Sequence, residues 1–242
     1  MDARLIPLGS DGSFRFCCSP HIACFNECCR DLNQFLTPYD VLRLKNGTGL
    51  PSHQFLARYT RRHIGPGSGL PVVTLIPGDP ERLTCPFITP AGCRVYPDRP
   101  SSCRTYPLVR MVRRARDTAE RVEDYRLLRE PHCRGFEAMQ LQTPTEWILD
   151  QGLGDYNAEN DRLLDVISLK ARLSSKALPP SLADQVYTAL YDLDQFRKRL
   201  HDEDLADMHA ADRVEFGRHD EVKVLRLGLE WVKQLLEKTF VR

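Results

Sequence analysis

Nine cysteines stand at positions 17, 18, 24, 28, 29, 85, 93, 103 and 133 of a 242-residue chain, and the remaining 109 residues hold none. Five fall within residues 17–29, as Cys17, then Cys18-x5-Cys24-x3-Cys28-Cys29; Cys85-Pro86-Phe87, Cys93-x9-Cys103 and Cys133 follow. Thiolates ligate zinc, copper(I) and iron–sulfur clusters. Close pairs lower the entropic cost of gathering ligands, and distant ones close a site as the chain folds. Two other uses of cysteine compete. A disulfide framework suits small secreted domains with a weak core. Here the count is odd, 42% of residues are hydrophobic, and the start MDARLIPLGSDG has no apolar run of a secretion signal. Inert core cysteines form the other alternative. The first cluster is interleaved with Pro20, His21, Asn26 and Glu27 and makes no apolar face, so that reading is kept for Cys17 alone.

The expected ligands are therefore Cys18, Cys24, Cys28, Cys29, Cys85, Cys93, Cys103 and Cys133, and gathering them orders the Pro- and Gly-rich loops between. Neighbouring side chains of extended backbone point to opposite faces, so Cys28 and Cys29 serve two centres more readily than one. Eight thiolates are enough for two four-ligand sites; one such site, with the rest structural or redox-active, is the simpler alternative. The cysteine-only set favours an iron–sulfur cluster, 4Fe–4S, over zinc, and Cys85-Pro86 echoes the Cys-Pro that ends ferredoxin motifs. The spacing of neither a zinc ribbon nor a bacterial ferredoxin is present. His21 and His132 sit beside Cys24 and Cys133 and read as ligand replacements, as groups supporting a ligand, or as surface residues. Arg99 and Arg104 flank Cys103, where they would offset thiolate charge, and Tyr96 and Tyr106 would shield the site from water; exposed Arg and core Tyr are the plain alternatives.

The run FRFCCSPHIACFNECCRDLNQFLTPYDVLRLK, followed by CPFITPAGCRVYPDRPSSCRTYPL, resembles the YkgJ-type cysteine-cluster proteins, also described as zinc- or iron-chelating domains. Their hallmark is a cluster ending in Cys-Cys and then a stretch that here reads Cys93, Tyr96, Arg99, Pro100, Cys103, Arg104, Tyr106 and Pro107. The resemblance covers about residues 14–135. The first cluster is more widely spaced than the compact C-x2-C-x2-CC form. The resemblance implies bound metal or an iron–sulfur cluster. Through a related branch, the flagellin lysine methylases, it keeps a protein-modifying enzyme open as an alternative. Metal storage or delivery is a further alternative. No residue is identified as catalytic, and no Gly-rich loop for adenosylmethionine is present; Gly152-x-Gly154 reads as a helix stop and turn.

The elements that position these residues are legible in part. Thr37-Pro38 starts a short helix that stops at Gly47, and Ser52 leads into a second over HQFLARYTRR. PVVTLIP (71–77) and Arg94–Tyr96 read as strands, and residues 107–115 and 123–130 as a hairpin. Thr143-Pro144-Thr145-Glu146 is a capping box. Helical patterns follow over 157–173, over 182–200 as one apolar stripe, and over 222–240, with the acidic stretch 201–212 as a solvated linker. The fold class is α+β, mostly α: an irregular, metal-organised cysteine-rich N-terminal module with a small antiparallel β element, then a C-terminal helical bundle. The division expected is 1–140, the cysteine-cluster metal-binding module, and 141–242, the helical region.

Charge divides similarly, with a net of +6 over residues 1–133 and −5 over 134–242, so that the whole chain carries +1. That near-neutrality argues against nucleic acid as the partner. No stretch approaches the length of a membrane span. A cytoplasmic location is the default. The partner expected is the metal ion or cluster, with a protein partner left open.

Overall fold

The computed structural model describes residues 3–9, 12–30, 33–114, 121–201 and 220–241. In chain order the strands and helices are β1 (Arg4–Pro7), β2 (Phe14–Arg15), β3 (Phe35–Leu36), α1 (Pro38–Thr48), α2 (Ser52–Tyr59), β4 (Thr60–Ile64), β5 (Pro71–Leu75), β6 (Ile88–Thr89) and β7 (Gly92–Cys93). Then come α3 (Ser101–Thr105), β8 (Leu108–Arg114), β9 (Arg121–Arg129), β10 (Leu141–Gln142), α4 (Pro144–Asp150), α5 (Gly154–Leu173), α6 (Pro180–Leu190), α7 (Leu193–His201) and α8 (Glu221–Phe240). The sheets are small and antiparallel, in the orders β1-β9-β8, β3-β5-β4, β2-β10 and β6-β7. The class is the expected mostly helical α+β.

Local chemistry accounts for the helix starts. Thr37 and Asp40 form a reciprocal capping box on α1: Asp40 N–H donates to Thr37 Oγ1 at 3.2 Å, and Thr37 N–H donates to Asp40 Oδ2 at 2.9 Å. Thr143 and Glu146 repeat it on α4, each cap worth about 1 kcal/mol. The stop of α1 is Gly49, at φ 69°, and not Gly47. Gly47 lies inside the helix, where a Cβ would meet Asp98 Oδ2 at 2.8 Å. Its bareness lets Asp98 approach α1 and pair with Arg43 at 2.6 Å.

Three other expectations are corrected by tertiary pairing. The second helix ends at Tyr59, because Thr60–Ile64 instead pair with β5, Thr60 opposite Leu75 and Ile64 opposite Pro71. A ladder beside Val72 and Val73 outweighs the helix propensity of the Arg pair at 61–62. The strand expected at Arg94–Tyr96 is a turn: β7 ends at Cys93, and Tyr96–Asp98 is a 3-10 turn around Pro97, which has no N–H for a ladder. The single apolar stripe over 182–200 is two helices. Asp192 interrupts it by accepting from Ser52 Oγ at 2.5 Å and from Gln195 N–H at 3.4 Å, so its side chain starts α7 afresh. The acidic linker at 201–212 lies, beyond His201, outside the described residues.

One apolar core runs from Phe14 and Phe16 through α1, α2 and β5 to α5, α6, α7 and α8. Trp147 of α4 meets the Phe14 and Phe16 rings edge-on at 6.1 and 5.6 Å. The charged group at the end of α5 is accommodated as well: buried Lys170 donates to the carbonyls of Ser174 and Lys176, each at 2.7 Å. The β8–β9 hairpin is fixed to α5 by Arg110, whose guanidinium donates to both carboxylate oxygens of Asp161 at 2.7 and 3.0 Å. Arg121 adds a contact to Asp165 at 2.7 Å. The end of that hairpin carries Cys133. The β2–β10 pair, Arg15 opposite Leu141, holds the Cys17–Cys18 segment alongside it.

The closest approach in the helical layer is at Gly228 of α8, where a Cβ would fall 2.4 Å from the Ala189 carbonyl oxygen of α6. Backbone cannot yield as a side chain can. Gly228→Val is therefore expected to lower unfolding stability by about 1–3 kcal/mol or more, read as an earlier midpoint in urea denaturation; an unchanged midpoint contradicts the packing.

Candidate metal centre

All nine cysteines are free thiols, and none is fully buried: Cys17, Cys18, Cys28 and Cys103 are exposed, and Cys24, Cys29, Cys85, Cys93 and Cys133 half-buried. This rules out the inert-core reading for the set. The segment 17–30 is irregular and held by a chain of short turns. Phe25 N–H donates to Ile22 O at 2.9 Å, Glu27 N–H to Cys24 O at 3.0 Å and Cys29 N–H to Asn26 O at 3.1 Å. Asn26 adopts the left-handed conformation, φ 71°, and begins the 3-10 turn Glu27–Cys29. The Cys28-Cys29 pair is thus on a tight turn and not on the extended backbone assumed for it. Successive side chains of such a turn still diverge, by about 120° at three residues per turn.

Backbone hydrogen bonds tie this segment to the later cysteines on two sides. On one, Cys17 N–H donates to Gly135 O at 3.0 Å, and Arg134 N–H donates to Cys24 Sγ at 3.1 Å. Gly135 has to lack a side chain here, since a Cβ would lie 2.4 Å from the Phe16 ring. On the other, Cys85 N–H donates to Cys29 O at 2.8 Å, and Asn26 Nδ2 donates to Thr89 O at 3.0 Å. The β6–β7 hairpin then sets Cys93 opposite Ile88. Cys103 sits on α3, whose start is anchored by Asp40: Ser101 N–H donates to Asp40 Oδ1 at 2.7 Å and Ser101 Oγ to Oδ2 at 3.1 Å. The Cys103 thiol reaches toward Gln34 Oε1 at 4.0 Å.

The thiols feel one another. Burial, then the neighbouring Cys28, Cys24, Cys133 and Cys17, pushes Cys18 up to about 11. Cys103 presents a face to solvent but is walled by protein, and burial, then Cys85, Asp40, Cys28 and Cys93, pushes it up to about 12. Burial comes first for Cys85 and Cys93 too, with Cys93 and Cys28 also raising Cys85; Arg99 and Arg94 pull the other way on Cys93. Cys133 is raised by burial and by Cys24, while the neighbouring Tyr106 favours its thiolate. Cys28 is the exception: a hydrogen bond from Cys29 pulls it down to about 7, and the same bond holds Cys29 in its protonated form. Like charges gathered without a counter-ion keep their protons; a cation bound among them reverses that preference.

The two hallmark arginines are neither exposed nor primarily counter-charges. Both are buried and clamp backbone. Arg99 donates to Tyr96 O at 2.7 Å and to Gln151 Oε1, with its guanidinium 3.8 Å above the Tyr96 ring. Arg104 donates to Arg99 O at 3.2 Å, to Gln151 O at 2.6 Å and to Pro97 O, and lies 4.7 Å from the Tyr156 ring. They fix the loop between Cys93 and Cys103 to the end of α4. Arg99 keeps a lesser electrostatic role, since it favours the thiolate of Cys93. Of the two tyrosines, Tyr96 is exposed, whereas the Tyr106 ring packs edge-on against Phe16 at 5.6 Å and sits beside Cys133. His21 and His132 are exposed, and His132 faces Glu130 at 3.8 Å. Asp40 and Gln34 were not singled out from the sequence as neighbours of Cys103. The capping box marks Asp40 as important to α1, but nothing local reveals its second use 61 residues on.

Among the described residues, no three His, Cys, Asp or Glu side chains stand at the spacing that holds a single metal ion. The donor chemistry nevertheless fits a thiophilic metal or cluster, because Cys24 lies against the residue after Cys133 and Cys29 against Cys85. Among the comparisons, no curated protein and no solved structure matches the chain. Residues 17–134, a span that includes every cysteine, match the model of the CxxCxxCC family, described as a "putative zinc- or iron-chelating domain". The similarity of this chain to the CxxCxxCC domains thus lies in its cysteine-bearing segment, residues 17–134.

Proposed function

We propose that this chain holds an iron–sulfur cluster through cysteine thiolates, with Cys18, Cys24, Cys28, Cys29, Cys85, Cys93, Cys103 and Cys133 as ligands and zinc as the alternative occupant. The similarity of residues 17–134 to a domain described as zinc- or iron-chelating supports metal binding. The observation that carries the choice of cluster is the donor set: the segments that meet here bring cysteines, while the neighbouring His21 and His132 are exposed.

Bound there, a cluster supplies electron transfer or a structural staple. The chain's own part is to present the thiols on loops locked by Arg99, Arg104 and Asp40, and to cover Cys133 with the Tyr106 ring. Nine free thiols suit a reducing compartment, which supports a cytoplasmic location. No described helix is long and apolar enough to cross a membrane.

Protein purified without oxygen is expected to be brown, with a broad visible absorbance and matching iron and sulfide. A colourless protein carrying stoichiometric zinc overturns the cluster; one with neither metal overturns the whole reading. Removing the metal from the full chain is expected to speed hydrogen exchange over 17–30, 85–107 and 130–137. The helices α1, α2, α5, α6 and α8 share one core and should stay protected. Equal loosening of loops and helices contradicts a role confined to the cysteine loops.

A further inference from the structure

We infer that the cysteines form two side-by-side centres, one built where Cys18 and Cys24 meet Cys133 and the other where Cys29 meets Cys85 and Cys93, with Cys17 belonging to neither. The inference rests on the metal-binding reading above and adds the number of centres and the division of ligands between them.

Two separate backbone junctions make the division. Cys24 Sγ accepts from the N–H of Arg134, the residue after Cys133, at 3.1 Å, and Cys17 N–H reaches Gly135 O at 3.0 Å. Cys18, Cys24 and Cys133 are therefore drawn to the end of the β8–β9 hairpin. On the far side of the same loop, Cys29 O accepts from Cys85 N–H at 2.8 Å. Cys85 in turn leads into the β6–β7 hairpin that carries Cys93, and Asn26 Nδ2 pins that hairpin to the loop through Thr89 O at 3.0 Å. Cys103 is presented separately on α3, whose start is held by Asp40.

Cys28 and Cys29 stand between the two junctions as adjacent residues on one tight turn, their side chains about 120° apart, and so form the shared wall between two centres.

The test counts centres in the full chain by native mass spectrometry, with iron, sulfide and zinc analysis on the same sample. The wild type is expected to carry two cofactor increments. The double variant Cys24→Ser/Cys133→Ser and the double variant Cys85→Ser/Cys93→Ser should each retain one, and Cys17→Ser both. A single increment in the wild type overturns the two-centre division while leaving the metal-binding reading intact. No increment overturns both. Should a double variant fail to fold, the wild-type count decides by itself. If both double variants fold but lose all metal together, the eight thiols act as one site and the division is wrong.

Discussion

The part of the molecule that carries chemistry depends on one constraint: thiols from segments far apart in the chain have to be brought together although their charges repel. The fold meets it with backbone and not with side-chain packing. The bonds from Cys85 N–H to Cys29 O and from Cys17 N–H to Gly135 O fix where the segments meet, and each leaves the attached thiols free to turn toward a ligand. Protonation meets the electrostatic side: burial first, and the neighbouring thiols after it, raise most of these groups. A bound cation would relieve the same repulsion and release the protons, linking metal affinity to pH as in any thiolate site.

Positioning such loops requires rigid neighbours, and the hallmark arginines provide them. A guanidinium offers five N–H donors in a fixed plane. Arg104 spends its donors on three carbonyls, of Arg99, Pro97 and Gln151, and so turns an irregular loop into a braced one. Each of these groups would be costly to leave unpaired in a buried place. Asp40 acts alike at α3, carrying a capping box and an anchor on one carboxylate. Chemistry is segregated along the chain, with every cysteine before residue 134, yet packing is continuous. The helices α1 and α2 lie against α5 to α8 in one core, so the cysteine loops are mounted on a scaffold to which both ends of the chain contribute.

How much of this was legible in the sequence differs by kind of interaction. The helix start at Thr37, the capping box at Thr143 and the β8–β9 hairpin are local features of the chain. The failures were cases where a distant partner decides. Thr60–Ile64 reads as helix until β5 offers it a ladder. The stripe over 182–200 reads as one helix until Ser52, 140 residues away, engages Asp192. Arg99 and Arg104 looked like counter-charges because they neighbour Cys103 in sequence, whereas their donors are taken up by carbonyls that only the folded loop brings near.

By itself the sequence determined the donor chemistry: nine cysteines, their confinement to the first 133 residues, and the motif around Cys93–Pro107 that carries the family resemblance. Residue type and spacing suffice for that, since a thiolate is a soft ligand wherever it stands. The tertiary structure decided which thiols are neighbours. Cys24 meets Cys133 and Cys29 meets Cys85 through hydrogen bonds between backbone segments tens of residues apart, and no local pattern encodes such a meeting. The vicinal pair Cys28-Cys29 shows the difference: adjacency in sequence suggests divergence, but only the tight turn on which it sits, and the loops that close on either side of it, say where each thiol is directed.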